Sequence, residues 1–169
     1  MNEITDKEKF INIVKEHKGI IYKVIHAYCK DANGRKDLEQ EIMIQLWKSL
    51  KNYNEQYKLS TWIYRIALNV AISNYRKDVK RKNSNLPIED EIFQIADEVK
   101  PINEETNIEQ LNRFIQQLDD FNKAILVLYL EDKSYKEIAE IIGITETNVG
   151  TKINRIKKQL KYFFNQLNY

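Results

Sequence analysis

Trp62, Arg65, Asn69, Ser73 and Arg76 recur at three- and four-residue steps within STWIYRIALNVAISNYRK, so a helix through this segment carries all five on one side. The set offers an aromatic ring to stack an unpaired base, an amide to read a base edge and two guanidinium groups to hold phosphates. Tyr53 and Tyr57 precede it, and the basic residues Lys77, Lys80, Arg81 and Lys82 follow. Taken alone, the pattern fits single-stranded nucleic-acid binding and, equally, a half-buried tryptophan in a basic helical bundle.

A second constellation lies in SYKEIAEIIGITETNVGTKINRIKKQL, which begins at Ser134. Ser134 and Glu137 have capping-box spacing, Gly143 stands where a short helix would stop, and Val149, Ile153, Ile156, Leu160 and Phe163 mark the apolar stripe of a longer one. This is the spacing of a helix-turn-helix. Asn148, Thr151, Lys152 and Arg155 share a face away from the stripe, suited to a major groove. From Asn148 onward Lys152, Arg155, Lys157, Lys158 and Lys161 meet no acidic residue, which suits phosphate contact; a hairpin with a solvated basic end is the plainer alternative.

Other chemistries lack their residues. There is no HExxH, no glycine-rich phosphate loop and no Cys-His spacing, so neither a catalytic site nor a metal or cofactor is expected. His17 and His26 read as surface or satisfied helix residues, and the single Cys29, among Ile25, Ala27 and Tyr28, as helix core. The start MNEITDKEKF lacks an apolar stretch and no run is long enough to span a membrane, so a cytoplasmic protein without membrane insertion is expected.

Positioning these faces falls to helices. With 43% hydrophobic and 31% charged residues the 169-residue chain can bury a core, and four Gly and two Pro are too few for the turns of a β fold. Thr5 and Glu8 suggest a cap for a first long helix, bent near Gly19. Asn33 and Gly34 should break it, and a second helix is expected from Lys36 to Leu50 with Leu38, Ile42, Leu46 and Leu50 inward. A loop over Lys51 to Leu59 then precedes a third helix, capped by Ser60 or Thr61 and buried through Ile63, Ile66, Ala67 and Val70. After Asp78 the pattern fades. Thr106 with Glu109, and then Asp119 or Asp120, open two further helices.

Charge follows the same division: residues 1–82 hold 17 basic and 10 acidic side chains, 83–107 hold 1 and 7, and 108–169 hold 9 and 8. The expectation is an all-α protein: a three-to-four-helix domain over 1–82, a flexible acidic linker over 83–107 with a short docking helix, and a helix-turn-helix domain over 108–169.

From Phe10 to Leu160 the chain resembles the extracytoplasmic-function group of bacterial sigma factors. RKDLEQEIMIQLWKSL is similar to the family's second-helix signature, STWIYRIALNVAISNYRK to its promoter-melting helix, and LDDFNKAILVLYLEDKSYKEIAEIIGITETNVGTKINRIKKQL to its C-terminal helix-turn-helix domain. Order and spacing agree across all three.

The resemblance implies a non-enzymatic transcription-initiation factor. Asp37, Leu38, Gln40, Glu41 and Trp47 would dock on the clamp of the largest subunit of core RNA polymerase. Trp62, Arg65, Asn69, Ser73 and Arg76 would capture unpaired minus-ten bases, with the Lys51 to Leu59 loop forming part of the pocket. Asn148, Thr151, Lys152 and Arg155 would read the minus-thirty-five duplex. Promoter DNA, double- and single-stranded, and an anti-sigma factor are the further implied partners, and either that factor or the acidic linker would mask the basic faces in the free protein. Gly150 departs from the family, standing where many members carry a DNA-contacting basic residue, and it suggests a close backbone approach or a later helix start. The rival readings are a standalone helix-turn-helix regulator, which leaves Asp37 to Glu41 and the Trp62 to Arg76 face unused, and an enzyme, which has no residues to support it.

Overall fold

The computed structural model describes residues 3–85 and 106–167, and every regular element among them is helical. The order is α1 (Glu3–Tyr28), α2 (Ala32–Ser49), a 3-10 turn (Leu50–Asn52), α3 (Leu59–Asn85), α4 (Asn107–Gln117), α5 (Asp120–Leu130), α6 (Tyr135–Ile142) and α7 (Glu146–Leu167). The first three helices form one unit and the last four another, as the all-α, two-domain reading expects. The docking helix expected in the linker falls mostly on 86–105, outside the described residues.

Helix starts are set by side-chain acceptors for the free N–H groups of the first turn. Thr106 and Ser134 each form a full capping box, with Glu109 and Glu137 respectively, and Asp119 accepts from the N–H groups of Phe121 and Asn122. The Ser134 backbone N–H, donating to Glu137, holds that carboxyl below its ordinary range. The starts at Thr106, Asp119 and Ser134 were therefore readable from residue type. That of α2 was not: Asp31 accepts from the Gly34 N–H and opens α2 four residues before the expected start, so Asn33 and Gly34 lie inside the first turn rather than in a break.

Other expected boundaries also move. α1 is already under way at Glu3, so Thr5 lies within it rather than capping it. Its bend sits at His17 (φ −113°, ψ 15°) rather than Gly19, and the His17 ring N–H donates to the Ile13 carbonyl at 3.1 Å. α3 starts at Leu59, just ahead of Ser60 and Thr61, and runs on to Asn85 although apolar periodicity fades at Asp78. The side chains from Arg76 to Arg81 are exposed, so no apolar stripe is needed there.

In the first unit Ala67 and Ala71 are fully buried on α3, and these small side chains let Val24 of α1 and Leu38, Ile42 and Leu46 of α2 close over it. In the second, Ile125 and Leu128 of α5 pack with Ile138 of α6 and Val149, Ile153 and Ile156 of α7. Each such aliphatic side chain contributes about 1.5–3 kcal/mol of burial. Cys29 is only half-buried, at the margin of this core.

The two units are also packed on each other. α5 and α6 lie against α3, and α4 and α5 against α1, so the buried residues form one continuous cluster. On α3 the buried apolar residues are Ile63, Tyr64, Ala67, Leu68 and Ala71, while the expected Ile66 and Val70 are only half-buried. At 100° per residue the buried arc is turned by roughly 80° from the expected one, toward the side that the second unit covers.

The helix-turn-helix is closed by Gly143, which adopts the left-handed conformation (φ +83°), while its N–H and that of Ile144 both bond the Ala139 carbonyl. Gly150 is different. It lies inside α7, whose start at Glu146 excludes the later helix start, and a Cβ added there would meet the Tyr135 ring at 3.5 Å, an ordinary contact. The two glycines should therefore respond oppositely to alanine. Gly143→Ala is expected to lose about 1–2 kcal/mol from left-handed strain. Gly150→Ala should gain up to about 1 kcal/mol from helix propensity. Urea unfolding followed by circular dichroism checks both, through a lower midpoint for the first and a higher one for the second.

Candidate nucleic-acid interface

Asn69, Ser73 and Arg76 come together on α3, where with Ile72, Lys77 and Lys80 they line an open groove of about 390 Å³. All three are exposed. Their face lies nearly opposite the buried arc of α3, so it stays open although two layers of helix cover the rest. Trp62 and Arg65 continue the same face but are half-buried, because the preceding loop folds over them.

That loop builds an aromatic cluster. The Tyr53 ring lies 5.1 Å from that of Trp62, and the Arg65 guanidinium sits 5.2 Å over the Tyr57 ring. Tyr53 donates its hydroxyl to the Tyr57 carbonyl at 2.9 Å, and Glu55 holds a left-handed backbone (φ +61°) at the tip. Two rings in contact at a 44° tilt and a guanidinium held over a ring face form an aromatic surface on which a further flat π system can stack. The residues expected to handle an unpaired base thus divide into a groove, Asn69 to Arg76, and a platform, Trp62 and Arg65, to which the loop adds Tyr53 and Tyr57.

Arg76 has a partner that periodicity did not signal. Its Nε donates to the carboxylate of Asp120, at the start of α5 and 44 residues away. Asp120 belongs to the second unit, so the acidic end of one helix neutralises part of the polar face of another.

In the helix-turn-helix, Thr145 accepts the Asn148 N–H at 3.2 Å and opens α7. Asn148, Thr151 and Arg155 are exposed on one face of α7, with Val149, Ile153 and Ile156 buried beneath. Lys152 shares the register but is half-buried, its ammonium 5.2 Å over the Phe121 ring. The Thr151 hydroxyl donates back to the Thr147 carbonyl and keeps its acceptor lone pairs available.

The residues expected to face polymerase are less uniform. Asp37 and Gln40 are exposed on α2, Glu41 accepts from the Asn74 side-chain amide at 2.8 Å, and Trp47 is 40% exposed with its ring edge-on to Phe10. Leu38 is buried in the first unit's core, at 2% exposure, so its own side chain holds α2 in place. Ile44, unremarked in the sequence, stands 50% exposed on α2. Its neighbourhood in sequence looked uniformly helical, and only the packing shows that it is left uncovered.

Among the described residues no cluster of His, Cys, Asp and Glu could hold a metal ion, and no helix is long and apolar enough to cross a membrane. Cys29, whose thiol burial pushes above its ordinary range, has no metal-ligating cluster around it.

Comparison with known proteins gives the same division. Residues 13–81 match the sigma-70 region 2 model and residues 108–160 the sigma-70 region 4 model. The chain is 28% identical to the ECF RNA polymerase sigma factor SigW of Bacillus subtilis, over 92% of this chain and 91% of that one. It is likewise 28% identical to the ECF RNA polymerase sigma-E factor of Escherichia coli, over 92% and 86%. Two solved structures share the fold at 15% identity: CnrH in complex with the cytosolic domain of CnrY (TM-score 0.68, covering 95% of this chain and 90% of that one), and the sigma factor RpoE in complex with the anti-sigma factor NepR from Bartonella quintana (TM-score 0.65, covering 94% and 96%). Helical bundle, helix-turn-helix and both region matches in one order place this chain in the sigma-70 family, in its extracytoplasmic-function group, whose members direct promoter-specific transcription initiation and are not enzymes.

Proposed function

We propose that the protein binds core RNA polymerase through the outer face of α2, captures unpaired minus-ten bases on α3 and its preceding loop, and reads the minus-thirty-five duplex through α7. The observation that carries this reading is the juxtaposition on α3 of an open polar groove with a π platform, in the same chain as a capped helix-turn-helix. Residues 1–82 would then act as the polymerase-binding and melting domain and 108–169 as the duplex-reading domain, joined by 83–107.

The chemistry needed is binding alone. Extruding a base from the duplex costs a few kcal/mol, and stacking the captured base on the platform offsets it, so opening requires no hydrolysis. Asn69, Ser73 and Arg76 supply hydrogen bonds and positive charge beside that base, while Trp62 and Arg65 anchor the loop that walls it in. On α2, Asp37, Gln40 and Glu41 offer acceptors and Trp47 with Ile44 an apolar contact, the mixture typical of a specific protein interface. An anti-sigma factor is the further partner, in keeping with the NepR complex of the structurally similar RpoE.

Run-off transcription on sheared genomic DNA with sigma-free core polymerase tests the reading. Addition of the protein is expected to create discrete new starts that share two upstream elements. Unchanged starts, together with a shift of duplex DNA by the protein alone, would point to a standalone regulator. Asn69→Ala is expected to retain polymerase binding and lose opening; normal permanganate reactivity of thymines at the mapped start would contradict it. Arg155→Ala should weaken selection of the upstream element by about 1–3 kcal/mol, roughly 5- to 150-fold, and leave opening on a pre-melted template unchanged. Competition between wild-type and altered upstream elements on linear templates measures this effect.

A further inference from the structure

On the side of α2 that carries Asp37 and Glu41, α3 runs alongside, and the two helices bound a cleft of about 610 Å³ whose lining includes Asp37, Glu41, Asn74, Lys77, Asp78 and Arg81. Within it the Asn74 side-chain amide donates to Glu41 Oε2 at 2.8 Å, across 33 residues of sequence, and both side chains are half-buried. Asn74 belongs neither to the buried arc of α3 nor to its polar groove: Ala71 is buried in the core, and Ser73 and Arg76 line the groove. Its amide is committed to the neighbouring helix instead.

The kind of donor has a chemical consequence. Lys77 and Arg81 line the same cleft, and a cation in the place of the amide would cancel the charge of Glu41. A neutral amide fixes the carboxylate and leaves its negative charge intact, and a carboxylate with one bond on Oε2 retains lone pairs for a second donor. Glutamate is among the side chains that lose most rotamer freedom on being ordered, so one ordered in advance loses less when a partner takes it. Trp47, further along α2, is braced in the same manner, its ring edge-on to Phe10 of α1 at 5.2 Å. An acidic and an aromatic member of the α2 face are thus each held from behind by another helix.

We propose that Asn74 is a positioning residue: it holds the Glu41 carboxylate in the orientation in which α2 presents it to core RNA polymerase, so that the helix carrying the nucleic-acid groove also sets a polymerase contact. The inference rests on the reading of α2 as the docking face. It adds a residue that no motif on α2 contains, because Asn74 lies on α3 and acts through Glu41 rather than on the partner.

Displacement of N-terminally labelled wild-type protein from sigma-free core polymerase, without DNA and followed by anisotropy, measures the affinity of each full-length variant. Asn74→Ala should bind about fivefold more weakly, the size expected when one long side chain must be immobilised during binding instead of before it. Glu41→Ala should bind more weakly still. Adding Asn74→Ala to Glu41→Ala should then change affinity by less than about twofold, since the residue through which Asn74 acts is gone. This non-additivity separates positioning from general support of the fold, whose loss would weaken binding equally in both backgrounds. Circular dichroism verifies that the helices are kept. Should Asn74→Ala fail to fold, Asn74→Ser takes its place in the cycle, its hydroxyl stopping one bond short of the amide nitrogen. Equal losses in the two backgrounds overturn the proposal, as does wild-type affinity in Asn74→Ala beside a weakened Glu41→Ala, and the docking role of α2 survives both results. Wild-type affinity in Glu41→Ala removes that docking contact and the role of Asn74 with it.

Discussion

Everything in this molecule depends on how the circumference of α3 is divided. A helix of 27 residues normally buries one stripe and leaves the rest to water. α3 instead packs against α1 and α2 through Ala67 and Ala71, and against the second unit through Tyr64 and neighbouring residues, while presenting Asn69, Ser73 and Arg76 to solvent. These obligations coexist because the residues suited to each recur in separate registers of the helix. Small side chains occupy the tightest approach, aromatic ones the outer contact and polar ones the open face. Changing residue size at Ala67 would therefore disturb more than a core, since the angle at which α3 leaves the bundle also sets where its polar face points.

How much of this was legible in the sequence follows from the range over which each signal acts. Capping boxes operate within four residues, so Thr106, Ser134 and their glutamates announced α4 and α6, and Gly143 announced the turn between α6 and α7. The polar face of α3 was equally visible, because periodicity is a local property. The buried arc was displaced for a nonlocal reason: Tyr64 and Leu68 are covered by a unit that begins some forty residues later, and nothing in their own segment marks them for burial. Asp31 was missed because Asn33 and Gly34, strong turn formers, lie within the turn that it caps.

The candidate site shows the same limit. Trp62 and Arg65 were expected beside Asn69 and Arg76 and do share their face, but Tyr53 and Tyr57 complete the platform only because the loop folds back over α3. Loop conformation depends on a few backbone angles, such as the left-handed Glu55, that residue type constrains weakly. Leu38 illustrates the converse. A motif groups it with Asp37, Gln40 and Glu41, yet a helix turns adjacent residues 100° apart, and Leu38 faces the core while Asp37 does not. Motif membership identifies the segment, and helix geometry decides which of its members can meet a partner.

The rim where the two units meet is chemically unlike the core that runs through both. Within each unit, contacts are dominated by Ile, Leu, Val and Ala, whose burial accumulates into a core that is lost only by unfolding. Between the units the same apolar cluster continues where α5 and α6 pack on α3, and it is rimmed by ion pairs with exposed partners, side-chain to carbonyl hydrogen bonds and cations over tyrosine rings, each worth about 1 kcal/mol or less at a solvated margin. At their centre the Lys123 ammonium is desolvated without a hydrogen bond, which subtracts from whatever its ring contacts supply.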